Sequence, residues 1–538
     1  MKNLKFIPAL ITIFFFFYFS CSTFKRKEEA KLKQNSPAEQ YTTIDKMSET
    51  EDLKGVKTVE ENPVNPNTEE YDHITENSFK NVIQNPLSTF SIDVDNASYS
   101  NVRRFLNNNQ MPDRNAVRIE EMINYFDYEY PNPVGKTPFS FVTEVSECPW
   151  NQAHQLIHIG IHGKEMDLKD VRPSNLVFLL DVSGSMDEPN KLPLLKKAFS
   201  MLVDQLDDRD KISIVVYAGS AGLILSPTSA SKKDAIKDAL NNLHAEGSTA
   251  GGEGIELAYK IAKDAFIADG NNRVILATDG DFNVGVSSTG ALVDLIQKRR
   301  DDDIFLTILG FGMGNYKDGR MEQIADAGNG NYFYIDNIQE AQKVFVKNMR
   351  ANMFTIAKDV KIQIEFNPAK VKEYRLIGYE NRMLNAEDFE NDKKDAGELG
   401  PGHTVTALYE IVPAGSDENN SGQTKLKYQE YKVNNSAQSG NELMTLKFRY
   451  KQPKEDKSIL VETPILDEHK SLDQTSENFR FAAAVAGFGM ILRDSEFKGK
   501  ADYDMVENLA ESAKGKDADG YRTEFVKLVK TAELLSKN

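Results

Sequence analysis

The chain has 538 residues, 40% of them hydrophobic and 27% charged, with a formal net charge of −17. That length suggests about two to four domains, and the acidic balance argues against nucleic acid as a partner, because backbone binding needs clustered Lys and Arg. With only two cysteines, Cys21 and Cys148, no disulfide framework is available.

Lys2 and Lys5 precede an apolar run from Phe6 to Phe19. A run of about 14 residues suits a signal-peptide core better than a spanning helix, which needs roughly 20. It ends at Ser20-Cys21, ahead of polar, basic residues. The arrangement resembles a bacterial lipoprotein signal over 1–21. That implies lipid on Cys21 and a lipid-anchored protein of the cell envelope, periplasmic or surface-exposed. Tyr18 and Phe19 stand where the usual signal has Leu and a small residue, so export is expected more firmly than cleavage. Residues 22–84 are polar, acidic and poor in aliphatic periodicity, a composition that reads as a disordered tether.

From 85 to 170 the pattern is mixed. Apolar residues alternate over Thr89–Asp95, as in a strand. Helical spacing is seen next over 97–110 and 117–130, and two strands over 138–148 and 154–163. His154, His158 and His162 share one face of the second strand. At about 3.3 Å per residue, neighbours in that series lie roughly 13 Å apart and cannot share one ion. The expected reading is a solvated strand face, and Cys148 reads as a small core residue.

Residues 171–354 alternate strand and helix in strict turn. Strands are expected at 175–181, 211–219, 222–227, 273–280, 304–312 and 331–336, with helices between them and a closing helix at 338–353. Alternation of this kind predicts right-handed crossovers and a Rossmann-like, doubly wound, mostly parallel sheet. Ligands of such sheets bind beyond the carboxyl ends of the strands. Asp181 and Asp279 both fall there. Asp181, Ser183 and Ser185 occupy alternate positions of one loop, Thr249 lies in the Gly-rich segment 245–254, and Asp279 comes just after a third strand. Hard cations take oxygen ligands of these kinds. No Gly-Lys-Ser/Thr succeeds the glycines, so the segment is not a phosphate-binding loop.

These three loops resemble the metal-ion-dependent adhesion site of the von Willebrand factor A-type (VWA) domain. The resemblance implies that Asp181, Ser183, Ser185, Thr249 and Asp279 hold Mg²⁺, with Mn²⁺ or Ca²⁺ as substitutes, and leave one coordination position for a partner's Asp or Glu. The stretch TFSIDVDNASYSNVRRFLNNNQMPDRNAVRIEEMINYFDYEYP before the domain resembles the bacterial YfbK-like proteins. So do DVKIQIEFNPAKVKEYRLIGYENRML and DAGELGPGHTVTALYEIVP after it.

Strand alternation returns over 355–465, at 359–366, 371–379, 404–413 and 443–451. We expect these strands to pair with those at 138–163, so that the VWA domain is inserted into a flanking β-sandwich. The acidic stretch 385–398 lacks the spacing of a calcium loop and reads as solvated. The C-terminal region 466–538 contains an apolar run within 477–495, too short for a bilayer and suited to a core helix, and then two amphipathic helices. The function expected from sequence is non-enzymatic: a membrane-tethered protein that binds a protein partner's carboxylate through Mg²⁺. The alternatives are a metal-dependent phosphoesterase, or an envelope protein whose metal only stabilises the fold.

Overall fold

The central sheet has at its middle strands buried along their whole length. Its order is Tyr332–Tyr334, Phe305–Gly310, Asn271–Thr278, Ser174–Asp181, Lys211–Ala218 and Ser220–Ser229. The first five run parallel and the last is an antiparallel edge. The computed structural model describes residues 68–537 except 136, 168–170, 248–251, 281–288, 315, 419, 422–426 and 429–431. Every residue of Ser174–Asp181 and of Asn271–Thr278 is buried, as expected of strands covered on both faces. Leu176, Phe178 and Leu180 pack on one face against the helix Leu192–Gln205. Val177 and Leu179 pack on the other against Gly252–Asp264. Leu180 pairs with Ala277 in register, so the two strands end side by side and point their carboxyl ends at one place.

The flanking segments form a β-sandwich. One sheet has the order Lys80–Asn81, Val371–Ile377, Thr404–Pro413, Asn151–Gly163, Phe139–Cys148 and His469–Lys470. The expected pairing across the inserted domain is present, with Ile159 opposite Ala407 and Ile161 opposite Val405. The second sheet runs Met383–Leu384, Leu87–Ser91, Ala357–Phe366, Glu442–Lys451 and Ser458–Leu466. Inward residues of the two sheets share one core, among them Phe90, Ile159, Ile362, Tyr409 and Phe448. On the outer face of the first sheet lies the helix Glu477–Arg493, almost wholly buried, with Tyr503–Ser512 and Tyr521–Ser536 beside it. Among the described residues, no helix is long and apolar enough to cross a membrane.

Several expectations are corrected. The three histidines are not solvated: His154, His158 and His162 are 4%, 0% and 8% exposed. Their strand face is covered by the helical layer, where His158 Nε2 lies 2.9 Å from the Tyr130 hydroxyl and His154 bridges Glu410 and Glu418. They do occupy separate sites. The helix expected over 117–130 stops at Asn124. After it Tyr125, Phe126, Tyr128 and Tyr130 insert as buried rings, a burial that regular winding could not give to four aromatics so closely spaced. The closing helix of the VWA domain is interrupted, with Ile338–Gln342, a π-helical turn over Lys343–Lys347 and Met349–Met353. Residues 68–84, which composition assigns to the tether, are built into the body. Glu69 pairs with Arg104, Glu70 with Lys317 and Glu76 with Arg493, so acidity that looks solvating in sequence is matched by cations distant in the chain. The stretch 385–398 is only partly solvated: Phe389 is buried, and Gly397–Leu399 pairs with Ala357–Phe366.

Charge also fastens the inserted domain to its surroundings. Arg103, on the helix Ala97–Asn107, is 1% exposed and reaches Glu340 at 2.7 Å, Asp336 at 2.8 Å through Nε, and the Tyr125 hydroxyl at 2.8 Å. Removing one partner of a buried ion network strands the other charges, which costs about 3–5 kcal/mol. Arg103→Met should therefore lower the unfolding free energy by about 3 kcal/mol in urea titration, whereas a loss below about 1 kcal/mol would mark the clamp as dispensable.

Burial pushes the His158 imidazole down to about 4, against the pull of Glu144. The unfolded chain protonates this residue near 6.5. Stability from neutral His158 is therefore complete above about pH 6.5 and is lost as pH falls toward about 4, by at most about 1.4 kcal/mol per pH unit. Equilibrium unfolding of wild type and His158→Gln across that window should give the shallower pH slope for the variant. Parallel slopes would contradict this account.

Candidate metal centre

Asp181 ends its strand, and the chain turns at once. Ser183 N–H donates to Asp181 Oδ1 at 2.9 Å, the Ser183 and Ser185 hydroxyl oxygens lie 3.0 Å apart, and Gly184–Asp187 closes a single 3₁₀ turn. Asp181 and Ser183 are buried, while Gly184 and Ser185 are exposed. The oxygens thus lie at the bottom and lip of a shallow surface site. The second loop docks on the first: Glu246 N–H donates to Val182 O, and Gly184 N–H donates to Gly247 O. Gly247 has φ +84°, a conformation glycine adopts without the steric penalty a Cβ brings. Thr249 lies outside the described residues, two positions beyond this anchor. Asp279 comes directly after Thr278 at the end of the neighbouring strand and is 5% exposed.

Four of the five residues singled out in the sequence are therefore brought to one place. Their chemistry suits a hard cation. Among the described residues, Asp181 Oδ2 and Asp279 Oδ1 are buried without a well-formed hydrogen bond, with the Tyr217 side chain lying against the Asp181 carboxyl. Two orphaned carboxylate oxygens beside two hydroxyls are unfavourable unless a cation or ordered water completes them. Burial pushes the Asp181 carboxyl up to about 6, opposed by hydrogen bonds from Ser183 and Tyr217 and reinforced by Asp279. A divalent cation would reverse that shift, since a metal is the largest local charge in such a site.

Lys191 is the residue that sequence reasoning missed. Its ammonium donates to Ser185 O at 2.9 Å and to Asp279 Oδ2 at 3.2 Å, and the residue is 5% exposed. The signal was present: Lys191 stands at the cap before Leu192–Gln205, where the helix dipole disfavours a cation. A lysine there needs a nearby acceptor.

A second carboxylate group, Asp95, Glu121 and Glu322, has oxygens within 4.8 Å of one another. Its oxygens already have donors, with Ser98 N–H on Glu121 and Tyr332 N–H on Asp95 beside two arginines. Arg118 reaches Glu121, Asp318 and Glu322 at 3.2, 3.0 and 2.9 Å, and Arg382 reaches Asp95 and Glu322 at 3.0 Å each. With each carboxylate engaged by a guanidinium, the cluster reads as an ion network joining three segments.

Comparison with known proteins agrees with this architecture. The family profile for the von Willebrand factor type A domain matches residues 175–347. A profile described as von Willebrand factor matches 65–158, and one for the C-terminal part of the uncharacterized protein YfbK matches 351–535. The chain is 44% identical over 476 residues to uncharacterized protein YfbK of Escherichia coli (strain K12), covering 87% of this chain and 82% of that protein. The chain belongs to the YfbK family of VWA-domain proteins. Uncharacterized protein sll0103 of Synechocystis sp. is 30% identical over 189 residues, 35% of this chain and 44% of that one. Among solved structures, a von Willebrand factor type A protein from Catenulispora acidiphila is 17% identical with TM-score 0.39, covering 73% of this chain and 89% of its own. Proximal thread matrix protein 1 of the mussel byssus, described with a zinc-occupied adhesion-site motif, is 23% identical with TM-score 0.28, over 33% and 45% of the two chains. Both are distant. YfbK-family membership brings with it a VWA domain, a type of module that serves protein interaction or adhesion, is usually non-enzymatic and commonly holds a divalent metal.

Proposed function

We propose that this YfbK-family protein is a membrane-tethered, extracytoplasmic binding protein. Its VWA domain takes Mg²⁺ on Asp181, Ser183, Ser185, Thr249 and Asp279 and presents it to a carboxylate of a protein partner. The observation that carries the reading is the pair of orphaned buried oxygens, Asp181 Oδ2 and Asp279 Oδ1, at the exposed lip formed by Gly184 and Ser185. When bound, the metal supplies a Lewis-acidic position for an anionic side chain. The protein's own part is to hold two carboxylates and two hydroxyls on the ends of adjacent strands, where a partner has access from solvent. The tether would be the residues that follow Cys21, up to the described body at residue 68, anchored by lipid on Cys21; they lie outside the described residues.

Phosphoester hydrolysis is not favoured. Two-metal chemistry uses several carboxylates about a pair of ions, and the second carboxylate cluster is held by Arg118 and Arg382.

The test is metal-dependent stability together with metal-dependent capture. Mg²⁺ at about 100 times its dissociation constant should stabilise wild type by about 2.7 kcal/mol, and Asp279→Ala should lose that response while its melting stays cooperative. Affinity capture from membrane extracts should yield a partner with Mg²⁺ present and lose it in chelator or with Asp181→Ala. A wild type whose melting ignores divalent ions would refute the metal reading. Capture that persists in chelator would refute the mode of binding.

A further inference from the structure

Two buried carboxylates aimed at one point repel each other, and a divalent ion is one way of balancing them. The structure contains another. Lys191 Nζ lies 3.2 Å from Asp279 Oδ2 and 2.9 Å from the Ser185 carbonyl oxygen, on the same loops that carry the candidate metal ligands. Its other carboxylate neighbour, Glu188 at 3.6 Å, is 57% exposed in its side chain and holds it only weakly.

The lysine is also held in place. Its aliphatic stem runs beneath Gly312, in the loop after Phe305–Gly310. A Cβ at position 312 would collide with Lys191 Cε, and Gly312 has φ +77°. The Tyr334 hydroxyl donates to Gly312 O and pins that loop from below. A lysine on an open surface samples many rotamers, but this one is 5% exposed and covered. Its charge is a fixed part of the site.

Asp181 and Asp279 contribute a charge of −2 to the site and Lys191 +1, leaving −1 before a metal enters. A divalent ion then leaves the loaded site at +1, whereas the two carboxylates alone would leave it neutral. We infer that Lys191 is a built-in second cation of this site: it engages one oxygen of Asp279, weakens the hold on a divalent ion, and leaves the loaded site net positive so that it selects a carboxylate-bearing ligand. This rests on the metal-binding reading above and adds to it the residue that sets affinity and ligand charge. It also accounts for the division of labour at Asp279, where Oδ2 meets the lysine and Oδ1 is the orphan.

The test is calorimetric titration of the full-length chain with Mg²⁺ for wild type, Lys191→Met, Lys191→Gln and Gly312→Ala, each first checked for cooperative melting. Loss of a unit positive charge a few ångströms from the ion should tighten Mg²⁺ binding by about tenfold or more in both Lys191 variants. Gly312→Ala, which displaces the stem without removing the charge from the sequence, should shift affinity the same way. Acetate titrated onto Mg²⁺-saturated protein should bind more weakly to the Lys191 variants than to wild type. Mg²⁺ affinity that is unchanged or weaker in the cooperatively melting Lys191 variants, with wild type binding normally, would overturn the role of Lys191 alone. Absence of Mg²⁺ binding by wild type would overturn the metal reading beneath it.

Discussion

The structure turns on the placement of two carboxylates, Asp181 and Asp279, at the ends of neighbouring parallel strands. Leu180 pairs with Ala277, so the strand registers align and the residues just beyond them are brought together. Nothing local to either loop could achieve this. It requires the right-handed crossovers that make the sheet parallel and the helices that bury both of its faces. Carboxylates taken from water disfavour their charged form, and burial accordingly pushes the Asp181 carboxyl up to about 6. The Ser183 N–H on Asp181 and the Lys191 ammonium on Asp279 answer this desolvation directly.

The same problem recurs where the inserted domain meets the rest of the chain, and there it is solved with arginine. Arg103 joins the helix Ala97–Asn107 to Asp336 and Glu340 of the VWA domain. Arg118 and Arg382 do the same for Asp318, Glu322 and Asp326. A guanidinium offers five donors in a fixed fork and can serve several carboxylates at once, which suits a junction where three segments converge. These networks fix the orientation of the domain more than they stabilise it, because desolvation offsets much of the attraction in buried ion pairs.

How much can be read from the sequence depends on how local each signal is. The strand at 175–181 and the alternation after it declare a parallel α/β unit because burial on both faces leaves an unbroken apolar run. The pairing of 138–163 with 404–413 is inferable because antiparallel strands flanking an insertion need partners. Four features could not be read locally. His154, His158 and His162 look like a solvated stripe, but all three are buried, with Phe479 of a C-terminal helix against His158 and Phe79 against His154. Tyr125–Tyr130 keep helical spacing in sequence, but past Asn124 the rings pack in pairs in one core, Tyr125 with Phe126 and Tyr128 with Tyr130, and Gly160 is bare because a Cβ there would collide with the Tyr130 ring. The acids of 68–84 look solvated because their basic partners, Arg104, Lys317 and Arg493, lie up to hundreds of residues away. The strand Ser458–Leu466, a sheet edge with an irregular burial pattern, carries no clean period at all.

The two carboxylate clusters of this protein show how little the count of acidic residues says about metals. Asp95, Glu121 and Glu322 lie close enough to share an ion, and two arginines already pair with them. Asp181 and Asp279 have a single lysine, which satisfies one oxygen and leaves Asp181 Oδ2 and Asp279 Oδ1 open. The first cluster is saturated by donors whose geometry matches it, so its charge is spent on holding segments together. The second is left under-compensated by its loops: one cation of fixed position, two free oxygens and an exposed lip. Incomplete compensation leaves a position where an external cation, and through it an external anion, can gain free energy by binding. In this fold the difference between a structural ion network and a binding site is therefore set by which base stands beside the acids, and by how many of their oxygens that base can reach.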